Sequence, residues 1–141
     1  MKIPPELLQL LESEKFCFLA TSYRDRPHLS LMNFTYLSGE GIIILSSRAD
    51  TTKVQHMEQN PAVALLLYNL EGSDGQPLSC SLHGMARVID PEEDGFYRER
   101  HYQKNKDMGV FITGSHIRII AVEITRGVIV DARDRVRPWT P

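Results

Sequence analysis

Eight consecutive residues hold the densest chemistry of this sequence: Ser46-Ser47-Arg48-Ala49-Asp50-Thr51-Thr52-Lys53. Four hydroxyls (Ser46, Ser47, Thr51, Thr52) and two cations (Arg48, Lys53) crowd one turn of chain. The run joins an apolar strand pattern over residues 42–47 to a helical pattern over residues 50–60. A helix N-terminus presents unpaired backbone N–H groups and the positive end of the macrodipole. Hydroxyl donors and compact positive charge at such a place are what a phosphate monoester requires. Asp50 opposes this reading, because a carboxylate at the same helix end repels a phosphate. Its other place is as the helix cap, beside the anion. The competing reading of the whole run is a plain capped helix with exposed polar residues. A Walker loop is excluded, since the glycines it needs are missing.

The remaining reactive side chains form no second constellation. His28, His56, His83, His101 and His116 are scattered, and no two have the spacing of a zinc pair. No Gly-x-Ser-x-Gly elbow occurs. Tyr97, Arg98, Arg100, His101 and Tyr102 read as a solvated helix face, or as the mouth of a substrate site. Cys17 and Cys80 each lie inside an apolar strand pattern and read as small buried hydrophobes, not as a disulfide framework. The net charge is −2, from 16 Lys and Arg against 18 Asp and Glu, and no basic stripe is visible. Nucleic acid is therefore not an expected partner. No apolar run approaches the roughly 18 residues that span a bilayer. The N-terminal Met-Lys-Ile-Pro-Pro run lacks the pattern of a signal peptide. No membrane association is expected, and the expected compartment is the cytoplasm.

The elements that must position the 46–53 run are mostly strands. Pro4 and Pro5 open a short helix with Leu7, Leu8 and Leu11 on one face. Strands are predicted over residues 16–23, 28–37, 42–47, 62–68 and 78–89. The polar stretch Arg24-Asp25-Arg26-Pro27 and the glycines of Ser38-Gly39-Glu40-Gly41 turn the first hairpins. The second helix, 50–60, stops at Pro61. Residues 70–77 form a loop, and Gly84 marks a bulge or the close approach of a ligand. Asp90-Pro91-Glu92-Glu93 predicts a helix start that runs to about Asn105. Residues 116–125 and 127–134 make a last hairpin turned at Arg126-Gly127. Hairpins with inserted helices argue for an antiparallel barrel or sandwich of the α+β type, mainly β, in a single domain over residues 1–141.

Three motifs then carry a family resemblance: Phe18-Leu19-Ala20-Thr21-Ser22 with Arg26-Pro27-His28-Leu29; the 46–61 segment with Thr52-Lys53 and Glu58-Gln59-Asn60-Pro61; and His83-Gly84-Met85-Ala86-Arg87-Val88-Ile89. In order and spacing the chain resembles the pyridoxamine 5'-phosphate oxidase-like superfamily of FMN-binding split barrels. The resemblance implies an antiparallel, Greek-key-like split β-barrel with two or three inserted short helices. It implies a homodimer with FMN in grooves between subunits. Thr51, Thr52 and Lys53 match the phosphate-holding Ser-Arg-Lys of the true oxidases, with Lys53 the only cation kept and Arg48 placed to supply the missing charge. Ser46 and Ser47 match the strand end that meets the cofactor. Ser30, Leu31, Met32 and Asn33 match the strand that lies along the flavin ring.

The implied activity is that of a flavin-dependent oxidoreductase acting on a small-molecule substrate, with catalytic residues unassigned. The alternatives are a non-catalytic flavin-binding or electron-carrier protein and a deazaflavin-dependent reductase. The chain ends Arg135-Val136-Arg137-Pro138-Trp139-Thr140-Pro141, a poor match to the tryptophan- and arginine-bearing segment that closes over substrate in true oxidases. Oxidation of pyridoxamine phosphate itself is therefore not expected. A homodimer also follows from the residues: Ile42-Ile43-Ile44-Leu45 and residues 62–67 are apolar on both faces and need cover on both sides.

Overall fold

A computed structural model describes residues 3–71 and 75–141 of the chain. Residues 72–74, inside the predicted 70–77 loop, lie outside the described residues. Helix α1, Pro5–Ser13, starts on a proline in its first turn and buries Leu7, Leu10 and Leu11. Leu10, and not the predicted Leu8, completes the inward face. Strand β1 is Phe16–Tyr23 and β2 is Arg26–Asn33. Arg24 and Asp25 both take left-handed backbone (φ 53° and 62°), the geometry of a tight two-residue hairpin. The predicted 28–37 strand is broken: Phe34 leaves the ladder, is fully buried, and is followed by β3, Thr35–Leu37. The Phe34 N–H bonds the carbonyl of Lys15, just before β1, at 3.2 Å.

Strand β4, Ile42–Arg48, leads into helix α2, Thr52–Gln59, and then β5, Ala62–Asn69. Strand β6 is Leu78–Val88. Helix α3 is Gly95–Lys104, followed by a 3₁₀ segment, Lys106–Phe111. The predicted start at Asp90 is a turn instead: the Asp90 carboxylate accepts from the Glu92 N–H at 3.2 Å, and its carbonyl from Glu93 at 2.8 Å. This local closure delays the helix by one turn.

The predicted C-terminal hairpin is one long strand, β7, Ile117–Asp131, with β8, Val136–Trp139, on its end. Arg126-Gly127 does not turn. A Cβ at Gly127 would lie 2.9 Å from Leu82 Cδ2 and 3.3 Å from Trp139 Cε3, so glycine keeps the strand straight while its neighbours close over it. The predicted irregularity at Gly84 is a bulge: His83 pairs with Arg126 and Gly84 with Ile124, leaving Thr125 as the extra residue. A Cβ at Gly84 would lie 2.5 Å from the Glu123 carbonyl oxygen, so the close approach there is a neighbouring strand, not a ligand.

The eight strands form one antiparallel sheet ordered β2-β1-β5-β6-β7-β4-β3, with β8 on β7. The chain crosses from one sheet edge to the other at Phe34 and returns through α2. These crossings curl the sheet into an open half-barrel, the split-barrel architecture. The main core fills it, from Leu7 and Leu11 through Leu19, Phe34, Leu45, Leu67 and Val122. A second cluster lies on the outer face, where Leu37, Ile44, Ile89, Ile119 and Ala121 pack with Tyr97 of α3. The apolar outer side of β4 is thus covered within the chain. That of β1, β2 and β5 is not: Phe16, Leu29, Leu31, Leu66 and Tyr68 stay exposed. Cys17 and Cys80 are free and buried, and burial pushes the two thiols up to about 12 and about 11.

Candidate functional site

At the end of β4 the chain must stop pairing with β7 and enter α2. The turn is held by its own hydroxyls. Thr51 caps the helix, its Oγ1 accepting from the Val54 N–H at 3.4 Å and donating to the Arg48 carbonyl at 2.9 Å. Ser47 Oγ lies 3.0 Å from the same Thr51 oxygen. Asp50 does not cap. It accepts from Arg48 Nε at 3.2 Å in an exposed pair, which draws off part of the cation beside it. Lys53 is half-buried, and burial together with the Arg48 charge lowers its pKa from the usual lysine range. A desolvated ammonium with no carboxylate close enough to raise that pKa is a receptive partner for an anion.

A groove of about 330 Å³ opens over this turn. Ser46, Ser47, Arg48, Thr51 and Lys53 give it a polar lining, and Leu31, Met32 and Asn33 of β2 form one wall. Eight of the ten residues singled out from sequence therefore meet in one place. The other two do not. Thr52 is exposed and faces a different cleft, with Tyr23, Arg24 and His56. Ser30 shares the inward face of β2 with Met32, and its buried Oγ has no hydrogen-bond partner among the described residues. Met32, two residues on along that face, reaches the groove lining, and Ser30 does not.

The opposite wall was not foreseen. It comes from Met108, Phe111, Ile112 and Ile117, around the 3₁₀ segment. Arg98 holds that wall. Its guanidinium grips the buried Asp94 carboxylate through Nε at 3.2 Å and Nη2 at 2.5 Å. It also donates to the carbonyls of Ile112, of Gly114 at 3.4 Å and of Ile117 at 3.0 Å. Arg98 is therefore a brace, and neither the solvated helix face nor the substrate mouth expected from sequence describes it. Arg135 and Arg137 are engaged elsewhere, with Asp131 at 2.7 Å and Glu6 at 3.0 Å. Trp139 packs against the barrel core.

Behind the groove lies a buried polar cluster. His101 of α3 and Asn105, the residue that caps the end of α3, are fully buried and four residues apart. His101 Nδ1 is 2.8 Å from Thr35 Oγ1, and Nε2 is 3.2 Å from Ser46 Oγ. Asn105 Nδ2 donates to Thr35 Oγ1 at 3.2 Å and to the His101 carbonyl at 3.0 Å. Asn33 Nδ2 donates to Asn105 Oδ1 at 3.2 Å. Burial, with the charge of Lys104 near, pushes the His101 imidazole down to about 4, so it is neutral at physiological pH. The repeat Tyr97, His101, Asn105 at i, i+4, i+8 was the available signal, because it places two polar groups on the face that carries Tyr97 inward.

The geometry joins a hydroxyl- and cation-lined strand-to-helix turn to an apolar slot, on an open antiparallel half-barrel. That is the class of the small split-barrel proteins. The family model for pyridoxamine 5'-phosphate oxidase matches residues 3–137, and the chain belongs to this family. A pyridoxamine 5'-phosphate oxidase homolog of Schizosaccharomyces pombe is 30% identical over 173 aligned positions, covering 98% of this chain and 90% of the relative. Among solved structures, a heme-binding protein of Mycobacterium smegmatis superposes with a TM-score of 0.81 at 18% identity, over 99% of this chain and 60% of that one. A FAD-binding protein of Mesorhizobium loti gives 0.75 at 14% identity, over 88% and 89%. These two likenesses speak to the fold. Among the described residues no helix is long and apolar enough to cross a membrane, and no cluster of three or more His, Cys, Asp or Glu is placed to hold a metal ion.

Proposed function

We propose that the groove binds FMN, with the phosphate at the Thr51–Lys53 turn and the ring along β2, and that the chain is a flavin-dependent oxidoreductase for a small molecule. The observation that carries this is the division of one groove into two chemistries. Its lining offers Ser47, Arg48, Thr51 and the half-buried Lys53 on the one hand, and Leu31, Met32, Phe111 and Ile117 on the other. A phosphate monoester on a flat aromatic ring matches both chemistries at once. In this chain Lys53 and Arg48 would neutralise the phosphate, Thr51 and Ser47 would hold the turn that presents them, and the apolar walls would keep water from the ring. When bound, the flavin supplies hydride or electron transfer, and the protein supplies position and electrostatics.

We further propose a homodimer. The uncovered outer face of β1, β2 and β5 is the support, because Leu29 is 67% and Leu31 59% exposed on strands whose other face is core. Leu31 belongs both to this face and to the groove, which links dimer formation to cofactor binding. Pyridoxamine phosphate is not the substrate we propose. A second phosphate would need arginines of its own; Arg98, Arg135 and Arg137 pair with Asp94, Asp131 and Glu6, and Arg100 lies over the Phe96 ring, 5.8 Å from its centroid.

An absorption spectrum of the purified protein, with the released cofactor weighed by mass spectrometry, tests the reading. An FMN spectrum and mass are expected. A deazaflavin mass would move the protein to the reductase reading at the same groove. A colourless protein that takes up no added FMN would refute flavin binding.

A further inference from the structure

One arrangement of protons gives every buried donor of the cluster behind the groove an acceptor. The His101 carbonyl can only accept, so the Asn105 group facing it at 3.0 Å is the amide NH2. The Asn105 oxygen then points the other way and must accept from Asn33 Nδ2 at 3.2 Å. The second Asn105 proton goes to Thr35 Oγ1 at 3.2 Å, with His101 Nδ1 also near, at 3.4 Å. Thr35 Oγ1 has a second lone pair that could take an Nδ1 proton, but its own buried hydroxyl proton would then have no acceptor among the described residues; paired, that proton goes to the Nδ1 nitrogen at 2.8 Å. Nδ1 is therefore bare. A neutral imidazole with bare Nδ1 carries its proton on Nε2, which donates to Ser46 Oγ at 3.2 Å. Ser46 is left with its hydroxyl proton directed away from His101, toward the groove it lines.

The donors run head to tail: Asn33 to Asn105, to Thr35, to His101, to Ser46. The two ends lie on the wall of the same groove, and among the described residues the Asn33 carbonyl oxygen and the Ser46 O–H have no other hydrogen-bond partner. We infer that His101 is a positioning residue that fixes this direction, so that the groove presents a donor at Ser46 and an acceptor at Asn33 to a ring edge carrying both a carbonyl and an N–H. The inference rests on the flavin reading of the groove. It adds to it the ligand class that the inner wall selects: heteroaromatic rings with a lactam or imide edge. Chains of like-directed hydrogen bonds polarise one another, which strengthens the donor at the Ser46 end. The neutrality of His101 is required, since an imidazolium would donate at Nδ1 and force Thr35 to reverse.

The test has two arms. In the full-length protein without ligand, two-bond proton–nitrogen correlation of the imidazoles at neutral pH is expected to show His101 neutral with its proton on Nε2. A proton on Nδ1, or an imidazolium, overturns the inference whatever the groove binds. In the second arm FMN is titrated into wild type, Ser46→Ala, His101→Phe and the double variant, each checked for folding by circular dichroism. Each single change is expected to weaken FMN by about five- to twentyfold, the effect of one hydrogen bond, and the double change no further than the larger single one. His101→Gln, whose amide can still donate to Ser46, is expected to recover most of the affinity. Additive losses, or equal losses in His101→Gln and His101→Phe, overturn it. If wild type takes up no FMN, the flavin reading fails, and the imidazole arm alone decides the proton order.

Discussion

Replacing Arg98 by Met removes the brace of one groove wall while keeping much of its bulk. Asp94 is 3% exposed, so the change leaves a buried carboxylate without its bidentate partner. It also frees the carbonyls of Ile112, Gly114 and Ile117 from the guanidinium. Breaking a buried pair from one side costs about 3–5 kcal/mol, because the remaining charge is uncompensated. The Arg98 side chain keeps 20% exposure, so water relieves part of this, and about 3 kcal/mol is expected. With a urea slope of about 1–3 kcal/mol/M, the unfolding midpoint should fall by about 1–3 M. Adding Asp94→Asn should recover part of the loss, since the buried charge is then gone. Ile112 and Ile117 line the groove, so FMN affinity should drop in Arg98→Met even where the protein is fully folded. Urea unfolding followed by circular dichroism, with FMN titration at zero urea, measures both. A loss below about 1 kcal/mol, the scale of a surface pair, would refute the brace.

Four further outcomes are expected. Lys53→Ala should weaken FMN about ten- to hundredfold, the scale of a hydrogen bond to a charged group, and leave riboflavin affinity unchanged in the same titration. The His101 imidazole, held at about 4 when folded against an ordinary 6.5, takes up a proton between these values only in the unfolded chain. Stability is therefore whole above about pH 6.5 and declines as pH falls to 4, by about 3 kcal/mol, and His101→Phe should remove this part of the acid slope in urea titrations at several pH values. Leu29→Glu with Leu66→Glu, on the uncovered face, should give a folded monomer by light scattering where wild type is a dimer; a wild-type monomer with flavin bound would sink the dimer. A direct assay with pyridoxamine phosphate, oxygen and saturating FMN should show no aldehyde formation comparable with an authentic oxidase run alongside.

The strands that were legible in the sequence are those whose ends carry local signals. Phe16–Tyr23 is bounded by a turn that needs left-handed backbone, and Ala62–Asn69 follows a proline that stops a helix. The errors fall where tertiary contacts override local preference. Phe34 reads as one more apolar residue of a strand, yet it leaves the ladder to fill the barrel. Gly127 reads as a turn, yet it is the place where Trp139 and Leu82 need room. Asp90-Pro91-Glu92-Glu93 has every mark of a helix start, and an Asx turn consumes them first. The 46–53 turn was legible because its hydroxyls and cations are contiguous in sequence. Which side of the turn Thr52 faces was not, since one residue of helix rotates a side chain by about 100°.

Helix α3 shows why half of the groove was hidden. Its inward face carries His101, Asn105 caps its end, and its N-terminal boundary carries Asp94. These are three of the six buried polar residues among the described residues, on an element whose Phe96 is 59% exposed. A helix that buries polar groups gains little from the hydrophobic effect, and replacing such groups by apolar ones of similar size is often neutral or stabilising. Stability alone therefore does not account for this face. What the three residues share is their reach: Asp94 acts through Arg98 on Ile112 and Ile117, while His101 and Asn105 act on Ser46 and Asn33. All four targets line the groove. Hydrophobic periodicity finds helices that fill a core, and it passes over one whose inward face is spent on holding a binding wall in place. The polar residue repeating at i and i+4 beneath an otherwise unremarkable helix is the sign to look for, and here it leads from a histidine that touches no ligand groove to the two groups that do.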